Sequence, residues 1–340
     1  MTSRMLHETR ETPEAVAHQL DQDRDAYCDI GELLRKHPPG SVLTVARGSS
    51  DHAAHYAAYL IMARLGRLVT SLPMSLVTLY QSRIACQGLS TFAFSQSGQS
   101  PDLVEPTRYF RGGGAMTAAF VNDAGSPLAR AAQWVFPLHA GSESSVAATK
   151  SFIAQMVAGA RLLAAWQDDA ALQAAIAALP EALARAALTD WSAAVDDLRD
   201  ADRLLVIARG LGLPVALEAA LKFKETCGIQ AEAFSGAEVQ HGPMALIEEG
   251  YPLLVFAPRG PAQAGLLALA QSLRELGGRV LVAAPAGTPG SSLTIVESGS
   301  EDLDAISMIQ SFYPLVEALS RARGLDPDRP RHLNKVTRTQ

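Results

Sequence analysis

Ser41-Val42-Leu43-Thr44-Val45-Ala46 runs into Arg47-Gly48-Ser49-Ser50. A short β-rich run that breaks on a Gly/Ser turn, followed by the Ala-rich stretch Asp51 to Leu65, predicts strand, turn and helix in succession. The pattern repeats downstream. Leu68 to Leu72 is a second strand. Leu89 to Phe94 is a third and ends in Ser95-Gln96-Ser97-Gly98-Gln99-Ser100, before a helix from Pro101 to Arg111. Ala115 to Val121 and Trp134 to Leu138 add two more strands. Strands alternating with helices across Gly/Ser turns predict a doubly wound parallel sheet.

The pattern then restarts. Residues 146 to about 199 are Ala-rich and read as helical, with a change of register near Thr189-Asp190. Arg203 to Ala208 is a strand ending in Arg209-Gly210-Leu211-Gly212, and Pro214 to Thr226 is a helix. Tyr251 to Ala257 and Arg279 to Ala284 are further strands. Ile207-Ala208-Arg209-Gly210 repeats Val45-Ala46-Arg47-Gly48 in the same strand-turn-helix setting, which indicates duplication. The expected boundary lies near residues 180 to 200. Upstream of the first strand, residues 1 to 40 form a helical segment. Thr12-Pro13-Glu14 is expected to start a helix there, with Thr as cap and Pro in the first turn.

Composition narrows the class. The chain has 340 residues, enough for about two domains. Hydrophobic residues make up 48% and charged residues 19%, which excludes a disordered chain. A net charge of −6 argues against a nucleic-acid partner bound through a broad positive field. No apolar run is long enough to span a membrane, and the first 36 residues lack the apolar core of a secretory signal. Cys28, Cys86 and Cys227 lie far apart without metal-ligand spacing. A cytoplasmic α/β protein is expected, with no membrane partner.

Chemistry concentrates in four places. Ser95-Gln96-Ser97-Gly98-Gln99-Ser100 sits between a strand and a helix, where backbone N–H groups and the helix dipole favour an anion. Taken alone it is equally an ordinary capping turn. Gly48-Ser49-Ser50 ends another strand of the same half, so both loops face the crevice at the strand C-termini. Neither matches the Walker or dinucleotide turn. Lys222 and Glu225 share a helix face, either as a solvated pair or as an ammonium beside a carboxylate base. His241, in His241-Gly242-Pro243, offers an imidazole, a side chain suited to general acid/base work, although a loop histidine is more often incidental. Pro330 to Thr337 is, on physics alone, a frayed terminus.

Together these segments resemble the sugar-isomerase (SIS) family, and within it the isomerase half of glutamine–fructose-6-phosphate transaminase. The resemblance rests on Ala46-Arg47-Gly48-Ser49-Ser50, Ser95 to Ser100 and Val146-Ala147-Ala148-Thr149-Lys150. In the second half it rests on Leu217 to Glu225, Ala231-Glu232-Ala233-Phe234, Glu238, His241-Gly242-Pro243 and Asp326 to Lys335. It implies two doubly wound, flavodoxin-like subdomains in tandem, at 41–185 and 200–325, and an active-site tail at 326–340.

The resemblance also implies roles. Ser49, Ser50, Ser95, Gln96, Ser97 and Ser100 would hold a sugar phosphate; the family carries Thr in place of Ser49 and Ser100, so the hydroxyls are kept. Val146 would contact the sugar through its backbone. Glu225 matches the base that moves a proton between C1 and C2, with Lys222 beside it. His241 matches the ring-opening histidine, which the family supplies from a partner subunit, so a homodimer is implied. Lys335 matches the tail lysine associated with ring opening and Schiff-base formation, and Asn334 replaces the family's usual Ala.

The family's synthase carries a glutaminase domain ahead of this half, and only about 40 residues precede the first strand here. The expected reaction is therefore the deaminating one: glucosamine 6-phosphate and water giving fructose 6-phosphate and ammonia, with no metal or cofactor. Alternatives are a galactosamine 6-phosphate deaminase, a fructoselysine 6-phosphate deglycase, an ammonia-dependent synthase, or a non-catalytic phosphosugar sensor.

Overall fold

The computed structural model describes residues 2–335. They divide into two units. One comprises 14–143, 150–177 and 334–335; the other comprises 2–13, 144–149 and 178–333.

The first unit is built on β1 (Ser41–Val45), β2 (Val69–Ser71), β3 (Leu89–Ser95), β4 (Met116–Val121) and β5 (Trp134–Pro137), all parallel, in the order β2-β1-β3-β4-β5. The second is built on β6 (Arg203–Ala208), β7 (Gln230–Ser235), β8 (Pro252–Phe256), β9 (Arg279–Pro285) and β10 (Leu293–Ile295), also all parallel. Its order, β7-β6-β8-β9-β10, is the same topology strand for strand. The duplication expected from the Arg-Gly turns is thus a duplication of the whole winding. Gly48 and Gly210, which follow the first strand of each sheet, have φ of 56° and 61°.

Sequence periodicity explains why both faces are covered. In the first sheet Leu43, Val45, Ala93, Ala119 and Val121 share a core cluster with Leu103, Phe110 and Leu128. The alternate positions form an aromatic run. Phe94 stacks on Phe120 at 4.6 Å between ring centroids, and Phe120 on Phe136 at 5.1 Å. In the second sheet Leu205, Ile207, Leu253, Val255 and Val282 pack with Leu266, Leu269 and Leu273. Parallel strands buried on both faces read as continuous apolar runs, as these do.

Helices α1 (Arg4–Asp21) and α2 (Arg24–Lys36) precede the first sheet. The first unit then carries α3 (Ser49–Leu65), the short α4 (Ser75–Thr78), α5 (Pro101–Gly112), α6 (Pro127–Ala131), α7 (Lys150–Gln167) and α8 (Ala170–Ala177). The second carries α9 (Leu179–Ala187), α10 (Ala193–Leu198), α11 (Leu213–Cys227), α12 (Gln263–Glu275) and α13 (Asp304–Ala322). No helix among the described residues is long and apolar enough to cross a membrane.

Two sequence expectations are corrected. Thr12-Pro13 does not start a helix: α1 begins at Arg4 and carries Pro13 inside it. Its N-terminus is capped from far away, with the Asp328 carboxylate accepting from Arg4 N and Met5 N at 2.8 Å each. The helical reading of 146 to 199 fails at its start. Residues 146–149 are irregular and helix begins at Lys150, because the Glu143 carboxylate caps it by accepting from Ser151 N at 3.0 Å. Strands β7 and β10 and helices α12 and α13 complete the second unit beyond the elements expected from sequence.

Candidate functional site

β1 and β3 are neighbours in register, Val45 opposite Ala93, so the loops that leave their C-terminal ends lie side by side. The chain winds from β1 to β2 on one side and back across to β3 on the other, which makes this the crevice of the sheet. α3 and α5 both begin there, and their N-terminal N–H groups favour an anion. Ser49, Ser50, Ser95, Gln96, Ser97 and Ser100 are thereby gathered at one end of one sheet.

The loop after β3 is organised by its own hydroxyls. Gly98 N donates to Ser95 Oγ at 3.0 Å and Gln99 N to Ser97 Oγ at 3.3 Å. A serine oxygen that accepts from the loop keeps its own O–H to offer a ligand oxygen. Gly98 has no alternative residue: its φ is 62°, and a Cβ there would lie 2.2 Å from Ser126 Oγ. Ser100 is the extended residue before α5, and Pro101 takes the first helical position. Arg47, in the neighbouring loop, lies 3.8 Å from the Asp102 carboxylate.

The corresponding crevice of the second sheet, after β6 and β8, is furnished differently. Arg259, just beyond β8, is held by Asp304 through two hydrogen bonds of 2.7 and 2.8 Å. The hydroxyl-rich pair of loops belongs to the first sheet.

The second unit carries the titratable cluster. Glu218, Lys222 and Glu225 lie on one face of α11. Lys222 Nζ is 3.2 Å from Glu218 Oε1 and 2.5 Å from Glu225 Oε2. The Lys222 side chain is 1% exposed and that of Glu218 0%, so this is no solvated pair. Burial acts to lower the Lys222 pKa, but the two carboxylates outweigh it and hold the ammonium above its ordinary range. Glu225 is the member that reaches solvent, at 19% side-chain exposure. It lines a cleft of about 590 Å³ with Leu221, Lys224, Arg329, Arg331 and His332. A carboxylate held by a buried cation and open on one side can take up and return a proton.

His241 ends a short 3₁₀ turn, Glu238–His241, and is exposed. Among the described residues it makes no hydrogen bond or ion pair. Val146 is half-buried in a loop that α1 secures from within the same unit. Glu8 accepts from Ser144 Oγ at 3.0 Å and from Ser145 N at 3.2 Å.

In the first unit, Lys335 Nζ donates to Glu143 Oε2 at 2.8 Å. Ser151 Oγ donates to the same oxygen at 2.6 Å. Burial acts to raise the Glu143 pKa, but Lys335 and the Ser151 donors outweigh it and hold the carboxyl below its ordinary range. Asn334 is exposed beside this pair.

Sequence reasoning missed three carboxylates: Glu8, Glu143 and Glu218. Glu218 was legible, one helical turn before Lys222. Glu8 carries no local signal, because its partner Ser144 lies 136 residues away, and the pairing of Glu143 with Lys335, 192 residues away, carries none either.

Comparison with known proteins agrees with this geometry. A family model described as SIS domain matches residues 36–165 and 197–294. The glutamine–fructose-6-phosphate aminotransferase [isomerizing] of Aeropyrum pernix is 34% identical over 355 residues, covering 98% of this chain and 56% of that protein. Its counterpart from Methanothermobacter thermautotrophicus is 32% identical, covering 97% and 56%. The chain thus spans about half the length of the curated relatives it matches. A Silicibacter pomeroyi crystal structure, provisionally described as a phosphosugar isomerase, superposes with a TM-score of 0.91 at 43% identity, covering 96% of this chain and all of that one. With the family model matching in both sheet units and that structure covered in full, the chain belongs to the SIS domain family.

Proposed function

We propose that the chain is a phosphosugar isomerase that acts as an isomerising deaminase, turning glucosamine 6-phosphate and water into fructose 6-phosphate and ammonia. The observation that carries this reading is the α11 cluster: a carboxylate with solvent access, Glu225, clamped to a fully buried ammonium, Lys222, that is itself backed by Glu218. Aldose–ketose chemistry needs a base of this kind at C2, beside a cation for the enolate-like charge. The kinship with the Silicibacter protein and with the aminotransferases supports the same substrate class.

The assigned roles follow the chemistry. Ser49, Ser50, Ser95, Gln96, Ser97 and Ser100 hold the phosphate, away from the carbons that react, so that its binding energy serves orientation. Val146 and Asn334 contact the sugar. His241, acting from a second copy of the chain in a homodimer, and Lys335 assist the opening of the C1–O5 bond, which exposes the aldehyde. Glu225 removes the C2 proton and returns it to C1, which leaves an imine at C2. Water adds to the imine, the C2–N bond breaks, and ammonia leaves behind the ketose. In this direction water is the only co-reactant. Supplied with ammonia, the same catalyst would run the amination, because it lowers one barrier for both directions.

The test is a coupled assay of ammonia and fructose 6-phosphate release from glucosamine 6-phosphate, with galactosamine 6-phosphate and fructoselysine 6-phosphate in parallel. Equal release of both products from glucosamine 6-phosphate is the expected result. Turnover of another of the three keeps the mechanism and changes the substrate. Binding of all three without turnover makes the protein a sensor and ends the enzymatic reading.

A further inference from the structure

Glu143 lies in the loop between β5 and α7 and has no part in the roles above. Its side chain is fully buried, yet its carboxylate is ionised and accepts hydrogen bonds from Ser151 N at 3.0 Å, Ser151 Oγ at 2.6 Å and Lys335 Nζ at 2.8 Å. Two of these belong to the start of α7, where an anion is favoured by the helix dipole. The third comes from the far end of the chain. Among the described residues the Lys335 ammonium has this carboxylate as its one hydrogen-bond partner.

The surroundings make the pair directional. The loop that carries Glu143 is itself fixed, since Asn122 Nδ2 donates to Gly141 O at 2.7 Å and Lys150 Nζ to Ser142 O at 2.8 Å. Upstream of Lys335 the preceding stretch is open: Arg331, His332, Leu333 and Asn334 are all exposed, and His332 has φ of 64°, a conformation rare for a residue with a side chain. An exposed four-residue run does not by its own packing set where Lys335 stands. The buried carboxylate does. A long, flexible lysine side chain is a point charge that needs a fixed counter-charge to hold one position.

We propose that Glu143 is the positioning residue for Lys335, tethering the closing stretch by a buried charge pair so that the ammonium stands at one fixed place beside the β5–α7 loop. The proposal rests on the reading of Lys335 as part of the sugar-phosphate machinery. The pairing itself is independent of that reading and has its own readout. Glu143 touches no reacting atom in this account; it acts through Lys335, and a misplaced catalytic group of this kind costs roughly a hundredfold per ångström.

The experiment compares E143Q, E143D and S151A with the wild type. Limited trypsinolysis is followed by intact mass for the product that ends at Lys335, because cleavage after Lys335 requires its side chain to leave Glu143. Wild type should be cut slowly there and E143Q at least about tenfold faster. S151A, which removes the helix-start hydroxyl and leaves both charges, should be cut at the wild-type rate, and E143D should fall between. In turnover of the sugar phosphate, E143Q should lose at least about tenfold in kcat with KM within about threefold, and E143D should recover part of the loss. Unchanged cleavage in E143Q, or equal acceleration in S151A, overturns the proposal. A kcat that survives in E143Q while cleavage accelerates overturns its functional half. If the wild type turns over none of the sugars, the proposed function fails and the trypsin comparison still decides the tether.

Discussion

Gln310 Nε2 donates to Thr9 O at 2.8 Å, and Thr9 O is the carbonyl that the ring of Pro13 leaves without an N–H partner. Proline inside a helix removes one hydrogen bond and pushes the carbonyl four residues back off axis. Here α13 supplies a side-chain amide to that carbonyl. Removing the amide, as in Gln310→Ala, strands a buried carbonyl and should cost roughly 1–3 kcal/mol. Pro13→Ala restores the helical N–H, so in that background Gln310→Ala should cost less than half as much. Thermal midpoints of the four proteins measure the coupling, and equal costs in both backgrounds would refute the compensation.

This pair also shows where the sequence is legible. The alternation of strands and helices, the Gly/Ser turns and the repeat around Gly48 and Gly210 are local signals, and they specify two parallel sheets of one winding. Thr12-Pro13-Glu14 is local too, and it misleads, because Gln310 and Asp328 outweigh the local preference from about 300 residues away. The hydroxyl loops could be located from Ser95 to Ser100 and Ser49-Ser50, since the ends of strands β1 and β3 fix them. Lys222 and Glu225 could be placed on one face by spacing alone. Their burial could not, since it depends on how α11 packs in the unit. Glu143 and Lys335 are joined only by tertiary structure.

The Glu218–Lys222–Glu225 array should be unforgiving of a single change. Lys222→Met leaves Glu218, fully buried, facing Glu225 with no cation between them, and should cost about 3–5 kcal/mol. Lys222→Met combined with Glu218→Gln removes the stranded charge and should recover most of that loss without restoring activity. If the double variant melts no higher than the single one, the array is not held by its charges. The sign of the pH dependence follows from the raised Lys222 pKa. A cation stabilised in the folded state contributes fully below the ordinary lysine value of about 10.4 and loses that contribution only as pH climbs beyond it. Lys222 should therefore add no slope to stability between pH 6 and 9.

Gly98 should be the most sensitive backbone position of the hydroxyl loops. A methyl group at Gly98 would meet Ser126 Oγ at 2.2 Å and Ser126 Cβ at 2.6 Å, from a φ that side chains disfavour. Gly98→Ala should displace the turn that Ser95 and Ser97 hold together and raise KM for the sugar phosphate at least about tenfold, a loss near 1.4 kcal/mol. Ser126→Gly added to Gly98→Ala relieves the clash but not the φ, and should recover affinity only in part. Binding of the phosphorylated sugar, followed by titration calorimetry, reads both effects. Wild-type affinity in Gly98→Ala would remove this loop from the phosphate site.

His241 and Glu225 provide the sharpest test of a shared active site. His241 is exposed and makes no hydrogen bond or ion pair among the described residues, whereas Glu225 is paired with Lys222 on α11. If His241 serves the site of a second copy, Glu225→Gln and His241→Ala each inactivate homodimers, but a mixed dimer holds one site with both groups intact. Random exchange of equal amounts makes half of the dimers mixed, so about a quarter of the wild-type sites should be complete. The two variants, carrying different affinity tags, are mixed under conditions that exchange subunits, and the doubly tagged species is purified and assayed. Activity near half that of the wild type is expected in that species. Doubly tagged dimers with no activity would mean that His241 works within its own chain, and His241→Ala homodimers that keep wild-type activity would remove it from the mechanism.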